Sequence, residues 1–336
     1  MKEESMNTIT RRNFVKAAAV LAGGALTGFF ATNNVTSLRA YGEEAAVSTE
    51  YGALKGQFVV FSDTHLSDDF PIYIARLENA FVDILSFCPR PTSVIVNGDI
   101  TNNDYESQWE TFANIARSAG FSYPDDFTLA MGNHDQIDSS DGDEVPCLAA
   151  RFMEQAQVGS PYYDRTFGDT HIIVLGPDRY PDNGWDGFEI GPDQLSWLDG
   201  LLSADERQGK TSYVFMHEPL YNTVLCTHEG EWGYENSLSQ ECNDALSGVL
   251  NAHANVVYFS GHTHYFPDVQ KFEDDGPAYV GTGSVAYTVL PDTDEDGNDD
   301  PETYGSTGWL MNVYENATEL RLRDFKNRVW KGTYVL

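Results

Sequence analysis

The sequence predicts an α/β fold of two packed mixed β-sheets flanked by helices, and two observations lead to it. Over the first two thirds of the chain, short apolar runs typical of strands alternate with segments whose apolar residues recur at helical spacing. From about residue 267 onward the helical spacing stops, and alternating segments typical of antiparallel strands follow. A strand-and-helix part followed by a β part favours two sheets packed face to face, with the helices outside.

The individual elements follow from the same patterns. Five apolar runs are predicted as strands of the α/β part, at 58–61, 93–96, 127–130, 213–215 and 256–259. Four helices are predicted at 72–87, 105–118, 193–202 and 237–250. The third follows Gly191-Pro192, since proline suits the first turn of a helix. Later strands are predicted at 278–280, 309–314 and 318–322, and polar inserts at 135–159 and 220–236.

The N-terminal region resembles a twin-arginine export signal. Arg11-Arg12 lies within Thr10–Lys16. The apolar stretch 17–30 that follows is too short and too rich in Ala and Gly for a membrane span. Ala40 precedes a suitable cleavage point. The predicted domains are therefore a signal peptide at 1–40, a linker at 41–56 and one large α/β domain at 57–336. The alternative is a soluble amphipathic tail. The resemblance implies a folded, exported protein in the periplasm, at the cell surface or outside the cell, without stable membrane association after cleavage.

The charge of the chain restricts its partners. The formal net charge is −32, and removal of the basic signal segment would make it −35. Such a surface repels the phosphate backbone, so a DNA or RNA polymer is not an expected partner. The same charge argues against electrostatic binding to an anionic membrane. A small anionic ligand remains compatible if bound cations dominate the local field.

The four cysteines do not form a metal-type Cys-x-x-Cys pair. Disulfides are allowed in an exported protein. Cys226 and Cys242 bracket the second polar insert, and we predict a disulfide between them. Cys88 lies at the end of an apolar helix and is predicted to be a buried thiol.

Polar residues follow each of the five strands of the α/β part, and five of the eight histidines are among them. The segments are Asp63-Thr64-His65, Gly98-Asp99, Gly132-Asn133-His134-Asp135, Met216-His217 and Gly261-His262-Thr263-His264. Ligands of open sheets bind beyond the carboxyl ends of strands, so these segments can meet at one edge. Imidazole, carboxylate and amide oxygen are suitable ligands for divalent transition metals. The glycines before Asp99, Asn133 and His262 are predicted to let the backbone turn sharply.

In this order, the segments resemble those of the calcineurin-like metallophosphoesterase superfamily, from about Gln57 to Leu336. The resemblance implies a four-layer α/β/β/α sandwich that binds two divalent ions, which Mn, Fe, Zn, Co or Ni would each satisfy. It implies a first metal held by Asp63, His65, Asp99 and His264. It implies a second metal held by Asp99 as a bridge and by Asn133, His217 and His262.

The same resemblance implies hydrolysis of a small phosphate mono- or diester by a hydroxide shared between the two metals. His134 is expected to stabilise the transition state or to protonate the leaving oxygen. Asp135 is expected to orient His134, with a turn-forming role as the alternative. Asn102 stands where purple acid phosphatases have a ligand tyrosine, and no arginine follows Asp99 as in the protein phosphatases. The motifs look closer to bacterial cyclic-nucleotide phosphodiesterases and glycerophosphodiesterases.

An acidic run at 291–302 partly matches a calcium-binding loop. Asp292, Asp294, Asp296 and Gly297 fit its first half, but the twelfth position is Thr303. A structural Ca²⁺ site is one interpretation, and a solvated acidic loop is the preferred one.

Seven aromatic residues lie in or near predicted loops. Some could line a ligand pocket, but most are predicted to pack within the protein. They are Tyr162, Tyr163, Tyr180, Trp185, Tyr221, Trp232 and Tyr234. Two rival functions remain open: a non-catalytic, exported metal- or calcium-binding surface protein on the same scaffold, and a nuclease. The complete set of metal-binding residue types argues against the first, and the net charge argues against the second.

Overall fold

Two six-stranded mixed sheets form the centre of the molecule. The computed structural model describes residues 51–136, 148–178, 187–272, 276–289 and 304–336. The predicted signal peptide, most of the linker, the acidic run with Asp292, Asp294 and Asp296, and Tyr180 and Trp185 lie outside these ranges. Within them, the strands are β1 Leu54–Phe61, β2 Ser93–Asn97, β3 Phe127–Ala130, β4 Tyr163–Phe167, β5 Thr170–Val174, β6 Ser212–Phe215, β7 Val256–Ser260, β8 Val269–Lys271, β9 Ala278–Gly281, β10 Thr307–Tyr314, β11 Thr318–Asp324 and β12 Val329–Val335.

Helices cover the outer faces of both sheets. The described helices are α1 Pro71–Phe87, α2 Glu106–Ala119, α3 Leu148–Ala156, α4 Pro192–Glu206, α5 Trp232–Glu235 and α6 Gln240–Asn251. A single 3₁₀ turn spans His134–Gln136. Of the helices in the described ranges, none combines the length and the apolar character that crossing a bilayer requires.

The first sheet has the strand order β12-β11-β10-β1-β2-β3, and the second has the order β4-β5-β6-β7-β9-β8. Strands β1, β2 and β3 are parallel to one another, as are β5, β6, β7 and β9. In the first sheet the antiparallel strands β10, β11 and β12 form one half, and in the second sheet the antiparallel strands β4 and β8 lie at the two edges. The carboxyl ends of the parallel strands therefore point to one edge of each sheet, which is where a ligand site is expected.

Side chains of alternate residues in β1 separate the core into layers. Phe58 and Val60 pack between the two sheets, together with Phe215, Phe259 and other apolar residues of both. Val59 and Phe61 face the opposite side and pack against α1 and α2. On the second sheet, the outer face packs against α4 and α6. Because both faces of each sheet are covered with apolar side chains, the four-layer α/β/β/α prediction is confirmed.

The predicted helices and strands agree with the structure in kind. Among the described strands, β4, β5, β8 and β12 were not predicted; β5 is fully buried, and the other three lie at sheet edges. The helix predicted at 193–202 continues to Glu206. Strand β4, which sequence analysis missed, alternates between partly buried and exposed residues because it lies at the edge of its sheet. The insert predicted at 135–159 contains helix α3. The last strand, β12, lies at the edge of the first sheet, and most of its residues are exposed. Edge elements bury too little apolar surface to give a clear pattern.

Cys226 and Cys242 are both free thiols, so the predicted disulfide is wrong. The thiol of Cys242 lies in the apolar core under α6, where its Sγ accepts a hydrogen bond from the backbone N–H of Ile190 at 3.2 Å. Burial raises the pKa of this thiol to about 11. Cys88 is buried as predicted.

His171 should make folding stability depend on pH. Its Nδ1 lies 2.6 Å from Asp205 Oδ2 and its Nε2 lies 3.2 Å from Asp164 Oδ2, and the hydrogen bond to Asp205 raises its pKa above 6.5. A raised folded-state pKa means that the stabilisation is complete below about pH 6.5 and is lost as the pH rises through the folded-state pKa. We therefore expect His171→Gln to lower the free energy of unfolding by about 1.5–3 kcal/mol near pH 5.5. The difference from wild type should shrink near pH 9. Denaturant unfolding of chelator-treated protein at both pH values measures this, and a loss independent of pH would contradict it.

Candidate metal centre

The structure brings together all seven residues predicted as metal ligands. They lie where three parallel strands of the first sheet and two of the second end. Asp63 and His65 follow β1, Asp99 follows β2 and Asn133 follows β3. From the second sheet, His217 follows β6, and His262 and His264 follow β7. The seven side chains are buried. Segments about two hundred residues apart in sequence thus form one buried polar cluster.

Four of these residues form a first group. Asp63, His65, Asp99 and His264 offer ligand atoms that all lie within 4.8 Å of one another. Nε2 of His264 lies 2.8 Å from Oδ1 of Asp63, and Nε2 of His65 lies 3.5 Å from Oδ2 of Asp99. The two imidazole Nε2 atoms are 3.0 Å apart. Two carboxylates and two imidazoles so arranged could hold a divalent ion.

Asp99 also belongs to a second group with His217 and His262, whose ligand atoms again lie within 4.8 Å of one another. Oδ2 of Asp99 lies 3.1 Å from Nε2 of His217. Asn133 joins this group through its Oδ1, which lies 3.0 Å from Nδ1 of His262. A carboxylate common to two groups is the arrangement that a shared ligand between two ions requires.

Two buried atoms of the cluster fit metal ions better than hydrogen-bond partners. Oδ1 of Asp63 and Nε2 of His217 are buried without a hydrogen bond of good geometry in the described structure, although Nε2 of His264 lies 2.8 Å from the first and Oδ2 of Asp99 lies 3.1 Å from the second. His217 donates its Nδ1–H to the carbonyl of Asn97 at 2.8 Å, which leaves a lone pair on Nε2. An unpaired buried acceptor is unfavourable unless a cation is bound to it. The donor set therefore fits divalent transition metals.

His262 is also held by a backbone carbonyl, but through its Nε2 and not through its Nδ1. Its Nε2 contacts the carbonyl of Asn236, which assigns the N–H to Nε2 and leaves the lone pair on Nδ1. That lone pair faces the amide oxygen of Asn133. A carbonyl that orients an imidazole from behind is a typical outer partner of a metal-binding histidine. Sequence analysis missed Asn97 and Asn236, because both act through backbone carbonyls that only the tertiary structure places.

The charge states also suit metal binding. Burial lowers the pKa of His65 to about 4, and burial together with the neighbouring His217 lowers the pKa of His262 to about 3. Burial alone would raise the pKa of Asp99, but His217 and the other neighbouring histidines hold it well below its usual range. Burial alone would lower the pKa of His217, but Asp99 and Asp63 raise it. His65 and His262 are therefore neutral imidazoles, the form that binds a metal, whereas a bound ion would displace the proton that the two carboxylates favour on His217.

Most of the cluster has a strained backbone. Asp63, His65, Asp99, His262 and His264 have φ values of 53°, 43°, 51°, 68° and 56°, in the left-handed region. Residues other than glycine rarely adopt this region, at a cost of about 1–3 kcal/mol each. Backbone hydrogen bonds across strand ends, such as Asp63 N–H to Gly98 O at 3.0 Å, hold them there. The strain turns each side chain inward at the end of its strand.

The three glycines have two different roles. Gly98 has a φ of +87°, as a sharp turn requires. Gly132 and Gly261 have no left-handed φ, and instead they allow close approach. A Cβ on Gly132 would lie 2.2 Å from both the backbone N and Oδ1 of Asp99, and a Cβ on Gly261 would lie 2.8 Å from Oδ2 of Asp63.

We expect Gly132→Ala to displace Asp99 and to reduce metal content and catalytic rate together, the rate by about 10²-fold, as for a misplacement of ~1 Å. Gly248→Ala is the matched control, since its Cβ would meet no atom within 4 Å in the middle of α6. That change should raise stability by about 0.5–1 kcal/mol and leave activity unchanged. Metal analysis and kcat/KM of the two purified variants make the test. Full activity in Gly132→Ala would contradict the close contact described here.

His134 lies next to the first group, with its ring centroid 4.6 Å from that of His65. Its backbone N–H donates to Oδ1 of Asp99 at 2.9 Å, and its Nδ1 lies 2.8 Å from the carbonyl of Asn102. The carboxylate of Asp135 accepts hydrogen bonds from the backbone N–H groups of Ile100, Thr101 and Gly132. A backbone carbonyl thus contacts the ring nitrogen of His134, and the contacts of Asp135 favour the turn-holding alternative.

The predicted loop aromatics mostly pack within the protein. Tyr221 and Tyr234 stack on each other at 4.1 Å, Tyr162 packs on Trp197, and the hydroxyl of Tyr163 bonds to the backbone of Leu129. Trp232 is different, because its ring stacks on His262 with centroids 4.8 Å apart. Tyr287, absent from the prediction, lies 4.2 Å from His264 between ring centroids.

Comparisons with known proteins agree with this architecture. A family model described as calcineurin-like phosphoesterase matches residues 56–266. No curated protein sequence matches the chain. A dimetal phosphatase from Danio rerio is similar in structure, with a TM-score of 0.61 and 16% identity, over 84% of this chain and 98% of that one. A purple acid phosphatase from yellow lupin has a TM-score of 0.57 and 14% identity, over 83% of this chain and 53% of that one.

A third structure of the same fold has a different described role. GAP50, described as the anchor in the inner membrane complex of Plasmodium, has a TM-score of 0.53 and 13% identity, over 84% of this chain and 89% of that one. At these identities, the three structures show the shared fold alone.

Proposed function

The chain belongs to the calcineurin-like phosphoesterase family, and from that membership and its candidate metal centre we propose that it hydrolyses a small phosphate mono- or diester with two bound divalent ions. The observation that carries the proposal is the position of Asp99 in both groups of ligand atoms. Two adjacent sites that share a carboxylate suit two ions about 3.5–4 Å apart. Asp63, His65, Asp99 and His264 would hold one ion, and Asp99, Asn133, His217 and His262 the other.

Bound divalent ions would polarise the phosphoryl oxygens and lower the pKa of water. The chain's own residues hold the ligand side chains in position. His217 and His262 are fixed by carbonyl contacts on their outer nitrogens, and the strained backbone at Asp63 and Asp99 holds the carboxylates inward. His134 lies beside His65 with Nδ1 held by Asn102, so Nε2 is the atom expected to carry the proton toward the leaving oxygen.

The experiment that tests this proposal is a substrate panel on apoprotein reconstituted with Mn, Fe, Zn, Co or Ni one at a time. We expect turnover of small phosphomonoesters or diesters, and about two ions per chain by elemental analysis. Because the chain is strongly acidic, small esters should be cleaved with a far higher kcat/KM than DNA or RNA, and added salt should help polymer cleavage. Faster cleavage of a polymer at low salt than of every small ester would favour a nuclease instead.

A non-catalytic role on the same scaffold is the rival function, and an anchor protein shares the fold. His134 argues against it, since a scaffold that only binds metal has no need for a proton donor beside the complete ligand set. A panel without turnover, in protein that binds two ions, would favour the rival. Fewer than one transition ion per chain would overturn the metal centre itself.

We also propose export by the twin-arginine route, on the basis of Arg11-Arg12 and the apolar stretch after it. Changing both arginines to lysine should leave unprocessed precursor in the cytoplasm of the producing cell. Cell fractionation with antibody detection measures this. Export that continues unchanged in the double variant would contradict the proposal.

A further inference from the structure

Trp232 is a large exposed aromatic residue placed directly on the candidate metal centre. Its side chain is 50% exposed, while its ring stacks on His262. Helix α5, which carries it, packs closely on the site, since a Cβ on Gly233 would lie 2.8 Å from Cγ2 of Thr263. The carbonyl of Asn236, after the same helix, contacts His262. The exposed ring is therefore held in position beside one end of the ligand cluster.

A second group of aromatic rings lies at the other end. Tyr287 packs against His264 and stacks on Tyr73 with ring centroids 5.8 Å apart. Tyr73 stacks in turn on Phe70 at 5.2 Å, and Phe70 is 47% exposed. Exposed aromatic surface thus lies next to both groups of candidate ligands. Exposed aromatic rings at a site are suited to bind part of a ligand.

The described loops that follow the strands at this edge are unusually acidic. Residues 62–70, 98–105, 131–136, 216–239, 261–268 and 282–289 contain eleven Asp or Glu and neither Lys nor Arg. Several of these carboxylates accompany the exposed rings in sequence: Asp68 and Asp69 precede Phe70, and Glu229 and Glu235 flank Trp232. All four are exposed. The phosphate of a substrate would face the bound ions, so the rest of the molecule would face aromatic rings and carboxylates.

The acidic loops and exposed rings would interact differently with three classes of phosphate ester. A second phosphate or a carboxylate on the substrate would be repelled by the loops, and a neutral sugar or base would gain nothing from their charge. An alkylammonium group gains from both, since aromatic faces attract cations and carboxylates add favourable charge. Resting on the function proposed above, we propose that the substrate is the phosphate ester of an amino alcohol, such as a choline or ethanolamine ester, and that Trp232 binds its ammonium group.

The test compares two alcohols that differ in charge but hardly in shape: choline and 3,3-dimethylbutanol, in which carbon replaces the ammonium nitrogen. Their binding to the metal-reconstituted protein is measured by ligand-observed NMR titration, which does not depend on turnover. We expect choline to bind about 3- to 30-fold more tightly than the neutral alcohol, the range of a cation–π contact that is partly desolvated. Trp232→Leu should remove most of this preference. Glu235→Gln should reduce it in proportion to the lost charge, more at low salt than at high salt.

Phe272→Leu is the matched control, because Phe272 is also an exposed aromatic residue, at 61%, but follows β8 at the opposite edge of the sheet. It should keep the preference for choline. Equal binding of the two alcohols by wild type, or an unchanged preference in Trp232→Leu, would overturn the proposal even if the ester panel shows turnover. A clear preference for choline without turnover of any ester would instead overturn the proposed hydrolysis and leave the ammonium site standing.

Discussion

Asp99→Asn is expected to abolish nearly all hydrolysis and to lower the metal content of both positions. Asp99 is the one described residue that belongs to both groups of ligand atoms, and an amide can supply only a neutral oxygen in place of a carboxylate. The pKa of Asp99 is held well below its usual range, so the wild-type side chain is ionised at neutral pH. The loss should exceed the ~10–100-fold that follows from removing an outer partner of a ligand.

The measurement combines kcat/KM for the best small ester with elemental analysis of the same sample. Asp125→Asn is the control, since Asp125 is an exposed carboxylate just before β3, at the opposite end of that strand. It should behave as wild type. If Asp99→Asn kept two ions and more than a tenth of the activity, the shared-carboxylate arrangement would be wrong.

His134→Ala should have the second largest effect, and a different signature. The rate should fall by ~10²–10⁴, the usual contribution of a positioned acid, while the metal content stays near that of wild type. The reason is geometric: the ring of His134 lies beside His65, but His134 is not among the residues whose ligand atoms cluster. The loss should be largest for esters with a poor leaving group, because these need protonation of the leaving oxygen.

A comparison of p-nitrophenyl and alkyl phosphate esters measures this dependence. His228→Ala is the control, an exposed histidine whose ring contacts Asn222. A loss of metal in His134→Ala, or an equal loss of rate for good and poor leaving groups, would contradict an acid role. The first result would move His134 into the structural support of the centre, and the second would favour stabilisation of the transition state over proton donation.

The sequence was sufficient for eight of the twelve described strands, their order along the chain and the residues at their ends, although the buried strand β5 was missed. This worked because buried parallel strands are continuous apolar runs, and because a ligand site at their carboxyl ends follows from the topology of such sheets. Strands β4, β8 and β12 were missed for the opposite reason. They lie at sheet edges, where many residues are polar. A sequence such as Tyr163–Phe167 therefore lacks the run of apolar residues that predicts a strand.

The finer parts of the site could not be predicted, because they depend on contacts between distant segments. The carbonyls of Asn97, Asn102 and Asn236 contact three histidines, and a backbone carbonyl has no signature in sequence. Asp135 was expected to orient His134, yet its carboxylate accepts hydrogen bonds from three backbone N–H groups and from the hydroxyl of Thr101. The predicted disulfide failed similarly, since loop ends that are close in sequence need not bring two side chains together.

The amide of Asn97 joins the two sheets, donating at 3.0 Å to the carbonyl of Met216 and at 3.2 Å to that of Phe259. The ligands on either side of this junction come from different sheets, so the centre exists only when the sheets are packed together. Ions that bind only this packed state add to the free energy of unfolding by mass action, about 2.7 kcal/mol at a hundred times their Kd. Metal affinity and the stability of the inter-sheet core are then thermodynamically coupled. Loosening the core far from the centre would weaken metal binding, and chelation would weaken the core.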